Sequence, residues 1–279
     1  MSAQPSSDPK GKATKAAARR FGRLGDYCVI AVVTLALLIL WEAAVRVWEV
    51  PQFVLPPPTE VLKRLVADLT SGAVIGHFTT TLVEVVLGFV LAAILGVGLG
   101  CAIGLVPVVE RIVYPYVLAL QTIPKVALAP LMIIWVGFGI QSKIVTAGLI
   151  AFFPILVNVV AGIKTVEPRR ILLMRALKAS PWQTFIKARL PSMLPYLFAG
   201  FEVGIIFAVI GAIVGEFLGS SRGLGSLVIQ RQAAIDVAGV FSVLVYLSVM
   251  GIALNLILRA IAKRYAFWSH RSDAGEHSA

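Results

Sequence analysis

Charge is scarce in this chain. Only 14% of its 279 residues are Asp, Glu, Lys or Arg, against 58% hydrophobic, and the mean hydropathy is +0.90. A soluble domain carries about a quarter of its residues charged, so the water-soluble globular classes are excluded. Cysteine is nearly absent. Cys28 and Cys101 both lie inside apolar runs, which excludes a disulfide framework and any zinc-ligand spacing. The three histidines, His77, His270 and His277, are scattered. No H-E-x-x-H or G-x-S-x-G occurs, and Lys164-Thr165 follows Ile163 where a phosphate loop would place Gly. The chain therefore shows no recognisable catalytic set, and it is expected to bind no cofactor of its own and to carry no nucleotide-driven motor. Acids are the scarcer sign, giving a net charge of +11. That excess suggests nucleic acid, but the positive residues flank apolar runs rather than line one basic face. This is a membrane pattern, so no nucleic-acid partner is expected.

Long apolar runs are abundant. About 20 such residues cross a hydrocarbon core roughly 30 Å thick. Six spans are expected, over about 27–48, 78–105, 112–137, 144–163, 193–217 and 237–261, making an all-α polytopic membrane protein in a lipid bilayer. Residues 1–24 carry Lys10, Lys12, Lys15, Arg19, Arg20 and Arg23 and are expected to form a disordered cytoplasmic tail; residues 269–279 form a second tail. The first run continues past signal-peptide length to Trp48, so an uncleaved span is favoured. Between spans one and two, PQFVLPPP is rigid. Residues 59–69 then form a short amphipathic helix, with Val61, Leu62, Leu65 and Leu69 apolar and Glu60, Lys63, Arg64 and Asp68 polar, expected at the outer interface. Span two is rich in small residues, with Gly96, Gly100 and Gly104 at GxxxG spacing, and is expected to pack, with span five, against a second copy of the chain. Span three is interrupted by Pro124 and Pro130, with Lys125 between them.

One polar interval stands out. Residues 164–191 read KTVEPRRILLMRALKASPWQTFIKARLP, with seven basic residues and Glu167 as the only acid. The positive-inside rule places this loop, and with it both termini, in the cytoplasm. By the same count Lys63, Arg64, Lys143, Arg222 and Arg231 lie outside. Ser180-Pro181 divides the loop into two short helices, Ser as N-cap and Pro at the first helical position. In the second helix Trp182, Phe185 and Ile186 fall at i, i+3, i+4, an apolar face rimmed by Lys187 and Arg189. Leu190-Pro191 is expected to end it. That face either packs on the protein's own spans or fills a partner's groove.

With these residues in view, the chain resembles the permeases of binding-protein-dependent ABC importers, closest to the nitrate/sulfonate/taurine group. The resemblance rests on LPPPTEVL (55–62), QTIPKVALAPLMIIWVGFG (121–139), AFFPILVNVVAGI (151–163) and GEFLGSSRGLGSLV (215–228), in that order. The family's loop pattern, Glu-Ala-Ala, then Gly, then Ile-x-Leu-Pro, is weakly kept. Leu172-Leu173-Met174, Lys178 and Ala188 stand at its positions, and only Leu190-Pro191 matches. The resemblance implies a bacterial inner-membrane subunit that pairs with a second copy. It also implies a coupling helix seated on a cytoplasmic ATPase dimer that hydrolyses ATP, and a periplasmic binding protein that delivers a small anion. The coupling residues would be Ser180, Pro181, Trp182, Phe185, Ile186, Lys187, Arg189, Leu190 and Pro191.

Ionisable and irregular residues within spans are the candidates for the cargo path: Pro124, Lys125, Asn158, Glu202 and Glu216. Lys125 either faces an anionic path, pairs with one of the glutamates, or reaches outward. Gly223 and Gly225 are expected only to make a turn. A different class, a proton-coupled secondary transporter relaying protons through Glu84, Lys125 and Glu202, is the alternative, although the sequence shows no internal repeat.

Overall fold

The structure is a computed structural model that describes residues 9–265, with side chains from residue 28 onward. The helix α6 (Ile140–Lys164) lies at its centre, gripped between α3 (Ile75–Leu105) and α9 (Leu190–Phe217). The reason is steric. On one side α3 presents Gly88, Gly96, Gly100 and Gly104, and a Cβ on Gly88 would stand 2.6 Å from Ala147 Cβ. On the other side α9 presents Gly200, Gly204 and Gly211, and a Cβ on Gly211 would stand 2.7 Å from Ala147 Cα. Small residues let helices approach to backbone contact. Ala147, Ala151, Ile155 and Val159 of α6 are wholly buried between them. The small-residue faces expected to meet a second copy are thus occupied inside one chain, because α6 fills the groove they make.

Around this trio lie α1 (Pro9–Val47), α2 (Pro58–Thr70), α4 (Pro107–Gln121), a 3₁₀ turn (Lys125–Leu128), α5 (Ala129–Val136), α7 (Pro168–Ala176), α8 (Pro181–Thr184), α10 (Leu224–Ala233) and α11 (Val237–Tyr265). Five helical stretches are long and apolar enough to cross a membrane. The sixth expected span is two legs, Pro107–Gln121 and Lys125–Val136, bent by 89°. Pro124 removes a backbone donor at the corner, and Thr122 closes α4 through its bond to Ala119 O. All regular elements among the described residues are helical.

Two expectations need correction here. α1 reaches back to Pro9, through most of the segment expected to be disordered. Its Ala, Lys and Arg are good helix formers, and extending an existing helix avoids the cost of nucleation. Residues 1–8 and 266–279, with the second tail, lie outside the described residues. The short helix α2 turns Val61 and Leu65 inward as expected, but its other two apolar residues and one of its polar ones depart from the expected faces. Leu62 and Leu69 are exposed, whereas Asp68 is 4% exposed. Asp68 is buried because Arg231 of α10 meets it through both nitrogens, at 2.8 and 2.6 Å, and Ser242 of α11 donates to it at 2.8 Å. Arg231, expected as a free outer charge, is itself 7% exposed. This triad ties α2, α10 and α11 together. The other end of α2 is held by Glu42 of α1, which accepts from Thr59 N–H at 3.1 Å and from its hydroxyl at 2.9 Å.

Candidate functional site

The basic loop is built by local signals. Ser180 caps the helix that Pro181 opens: Gln183 N–H donates to Ser180 Oγ at 3.2 Å, and Ser180 N–H donates to Gln183 Oε1 at 2.9 Å. This is a complete capping box. Before it, Lys178 turns the chain with φ +53°. The residue at the position where the family pattern has Gly thus adopts the left-handed conformation that glycine enters without strain. After α8 the backbone widens into a π-helical turn, Phe185–Arg189, and passes directly into α9. Leu190-Pro191 therefore begins the next helix rather than ending the last. Pro is tolerated there because the first turn of a helix needs no N–H from it.

The three apolar side chains divide. Trp182 is 69% exposed and stacks on Phe185, ring centroids 5.9 Å apart. Ile186 is also exposed, whereas Phe185 is half-buried against the core. Leu172, Leu173 and Leu177 of the preceding segment are also exposed, as is Lys187.

The cargo-path candidates do not converge. Lys125 Nζ donates to Gln121 O at 3.0 Å and lies 4.8 Å from the Phe153 ring centroid, so its partners are a carbonyl and an aromatic face rather than a glutamate. Asn158 donates to Pro154 O of its own helix at 2.8 Å, and its Cβ side packs under Gly200. Glu202 pairs with Arg259 of α11 at 3.0 Å. Among the described residues no hydrogen bond or ion pair joins Glu84, Lys125 and Glu202, so the three are not assembled as a proton relay.

A different constellation does assemble, at the α10 end of the bundle. Glu216 of α9 accepts from Thr81 Oγ at 2.6 Å, from Gly225 N–H at 2.5 Å and from Ser226 N–H at 3.3 Å. Leu224 N–H donates to Thr81 Oγ at 2.7 Å. Together these groups satisfy the unpaired N–H donors at the start of α10, where an acid is also favoured by the helix dipole. Gly225 does more than turn the chain: a Cβ there would stand 2.8 Å from Glu216 Oε2. Lys143 of α6, expected outside in water, is 1% exposed. Its ammonium donates to the carbonyls of Phe138, Gly139 and Gly219 at 2.7, 3.2 and 3.0 Å, using all three protons. Glu84 of α3 is also 1% exposed, its carboxyl within hydrogen-bonding reach of Glu216, and its Oε2 receives no donor. Beside it opens a cavity of about 550 Å³ lined by Thr80, Glu84, Phe138, Lys143, Ser221 and Arg222, among others. Glutamates inside apolar runs are the sequence signal for this cluster. Their mutual approach is not visible in sequence, because the partners lie more than 130 residues apart.

Comparison with known proteins agrees with the architecture. The family described as binding-protein-dependent transport system inner membrane component matches residues 92–267. The chain is 36% identical to the formylaminopyrimidine transport permease of Halalkalibacterium halodurans, covering 78% of this chain and 86% of the relative. It is 35% identical to the riboflavin transport permease of Chloroflexus aurantiacus, covering 85% and 88%. It is 29% identical to the taurine transport permease of Escherichia coli, covering 88% and 91%. Among solved structures, an inward-facing methionine ABC transporter superposes with a TM-score of 0.57 at 24% identity, over 69% of this chain and 94% of that one, a likeness of fold. With its all-helical bundle, its capped basic loop and this match over most of its length, the chain belongs to the family of binding-protein-dependent transport system inner membrane components, the permease subunits of ABC importers.

Proposed function

We propose that this permease moves a small organic or inorganic anion, of the sulfonate, taurine or nitrate kind, into the cytoplasm of a bacterium. It does so as a pair with a second copy in the inner membrane, with its N- and C-termini cytoplasmic. A periplasmic binding protein delivers the cargo and a separate ATPase dimer supplies the energy. The observation that carries the coupling half is the exposure of Trp182, on a firmly capped helix, and of Ile186, in the turn that continues it, in the most basic loop of the chain. A large aromatic held open on a polar loop suits a groove in a soluble partner, and such anchors dominate interfaces, at about 2 kcal/mol or more each. The cargo half rests on Lys125, whose ammonium meets a carbonyl and a ring but no acid at the corner of the broken helix pair. The permeases named for formylaminopyrimidine and riboflavin favour a second reading, a planar heteroaromatic cargo.

The coupling test uses two variants. Trp182→Ala is expected to weaken co-purification of the ATPase and lower uptake while the permease inserts and melts normally. Phe185→Ala, half-buried, is expected to lower the melting temperature as well. Unchanged ATPase affinity in Trp182→Ala would sink the coupling assignment. Competition of uptake by taurine, nitrate and a pyrimidine separates the two cargo readings.

A further inference from the structure

The Glu84–Glu216 cluster has a deficit of one positive charge. Two carboxyls face each other, and among the described residues Lys143 is the only buried cation acting on both. All three protons of Lys143 go to backbone carbonyls. The donors reaching the pair, from Thr81, Gly225 and Ser226, all go to Glu216. Glu84, 1% exposed, has an oxygen with no donor at all. A buried acceptor left without a donor costs about 1–3 kcal/mol, and more if charged. Two carboxylates in contact do not both stay ionised without a cation between them.

We propose that the Glu84–Glu216 pair is a binding site for one monovalent cation, a proton or an alkali-metal ion, admitted through the adjoining cavity. A divalent ion fits poorly. It demands six or more oxygen ligands and usually several carboxylates, and no group of three acids, histidines or cysteines converges among the described residues. The cavity wall brings Glu84 together with the hydroxyl residues Thr80 and Ser221, a polar route from the α10 end of the bundle. Because Glu216 also caps α10, a cation between the carboxyls holds α3, α9 and the 219–225 segment as one unit. Its loss sets two like charges against each other at the junction of three helices.

The other charged or titratable groups at this junction are His77, whose Nδ1 meets Gly223, Lys143, and Arg222, which is exposed on the cavity rim. They define the controls. The full-length permease in lipid nanodiscs is melted from mildly acidic to alkaline pH in sodium, potassium or N-methylglucamine chloride at equal ionic strength. If the ion is a proton, the midpoint falls on alkalinisation alike in all three salts, by roughly 2–4 °C. If it is an alkali ion, the fall appears only in N-methylglucamine and is restored by sodium or potassium. Glu84→Gln donates to Glu216 without charge and should hold the low-pH midpoint while abolishing either dependence. His77→Gln should leave the dependence intact. A wild-type midpoint indifferent to both pH and salt cation overturns the site. So does a Glu84→Gln protein that keeps the wild-type dependence, or a His77→Gln protein that loses it. Should Glu84→Gln fail to fold, the wild-type salt series and the His77→Gln profile decide the matter.

Discussion

Arg231 holds Asp68 by both carboxylate oxygens, at 2.8 and 2.6 Å, across 163 residues of chain. Both side chains are nearly excluded from solvent, at 8% and 5%. The pair joins a ten-residue helix to a thirteen-residue one, neither long enough to cross a membrane, and anchors both to the start of α11 through Ser242. Breaking a buried pair by removing one partner strands the other and costs about 3–5 kcal/mol. Asp68→Ala is therefore expected to lower the melting temperature sharply, and Asp68→Ala with Arg231→Met to recover part of the loss. A double variant no better than the single one would refute the stranded-charge account.

The same pair sets an acid limit. Burial pushes the Asp68 carboxyl up, but hydrogen bonds from Arg231 and Ser242, with the charges of Arg231 and Arg64, pull it further down, to below the ordinary range. A carboxyl depressed in the folded state stabilises above its unfolded value, and that contribution is lost as pH falls through the folded one. Melting curves between neutral and acid pH should show wild type losing stability at the acid end. Asp68→Asn should lose less over the same interval.

The glycines of α3 make a graded test of helix packing. A Cβ at Gly88 meets Ala147 at 2.6 Å and Ile144 O at 2.9 Å, whereas one at Gly98 meets nothing within 4 Å. Overpacking costs about 1–3 kcal/mol. Gly88→Ala should lower the thermal midpoint of the purified permease and Gly98→Ala leave it unchanged or slightly raised, since both positions are helical.

Lys178 sits at φ +53° on the exposed loop. The left-handed region costs a non-glycine residue about 1–2 kcal/mol. Lys178→Gly should raise the protease resistance of the 164–191 loop, and Lys178→Val should lower it. Ser180→Ala, which removes the capping box, should lower it too, by an amount corresponding to about 1 kcal/mol.

Lys125→Ala removes a cation held over Phe153, a contact worth about 0.5–2 kcal/mol, and strands no acid. Expression and melting should stay near wild type while uptake falls. Normal uptake by a well-expressed variant would end the cargo assignment of Lys125.

Much of this protein was legible in its residues. Apolar runs mark the spans because a bilayer demands about 20 such residues in sequence. Ser180-Pro181 marks a helix start because an N-cap acts on the turn that follows it, and Pro124 marks the break in the third span because a missing donor is local. Each of these effects is contained in one continuous stretch of chain, so neighbouring letters suffice to reveal it. Burial of charge is different. Lys143, Asp68 and Arg231 look like solvated charges, and Glu216 looks like a residue of the cargo path. Each is buried because a partner comes from a distant part of the chain: Gly219 O, Arg231, and Thr81 with the α10 amides. The same holds for the glycine faces of α3 and α9. Their spacing announces close contact, yet the contact is with α6 of their own chain. Sequence by itself determined that the chain is a set of apolar helices and where Pro124 and Ser180-Pro181 interrupt them. Only the tertiary structure decided which polar groups leave water and which helix fills a small-residue groove, because both depend on what packing places opposite a residue rather than on what lies beside it in the chain.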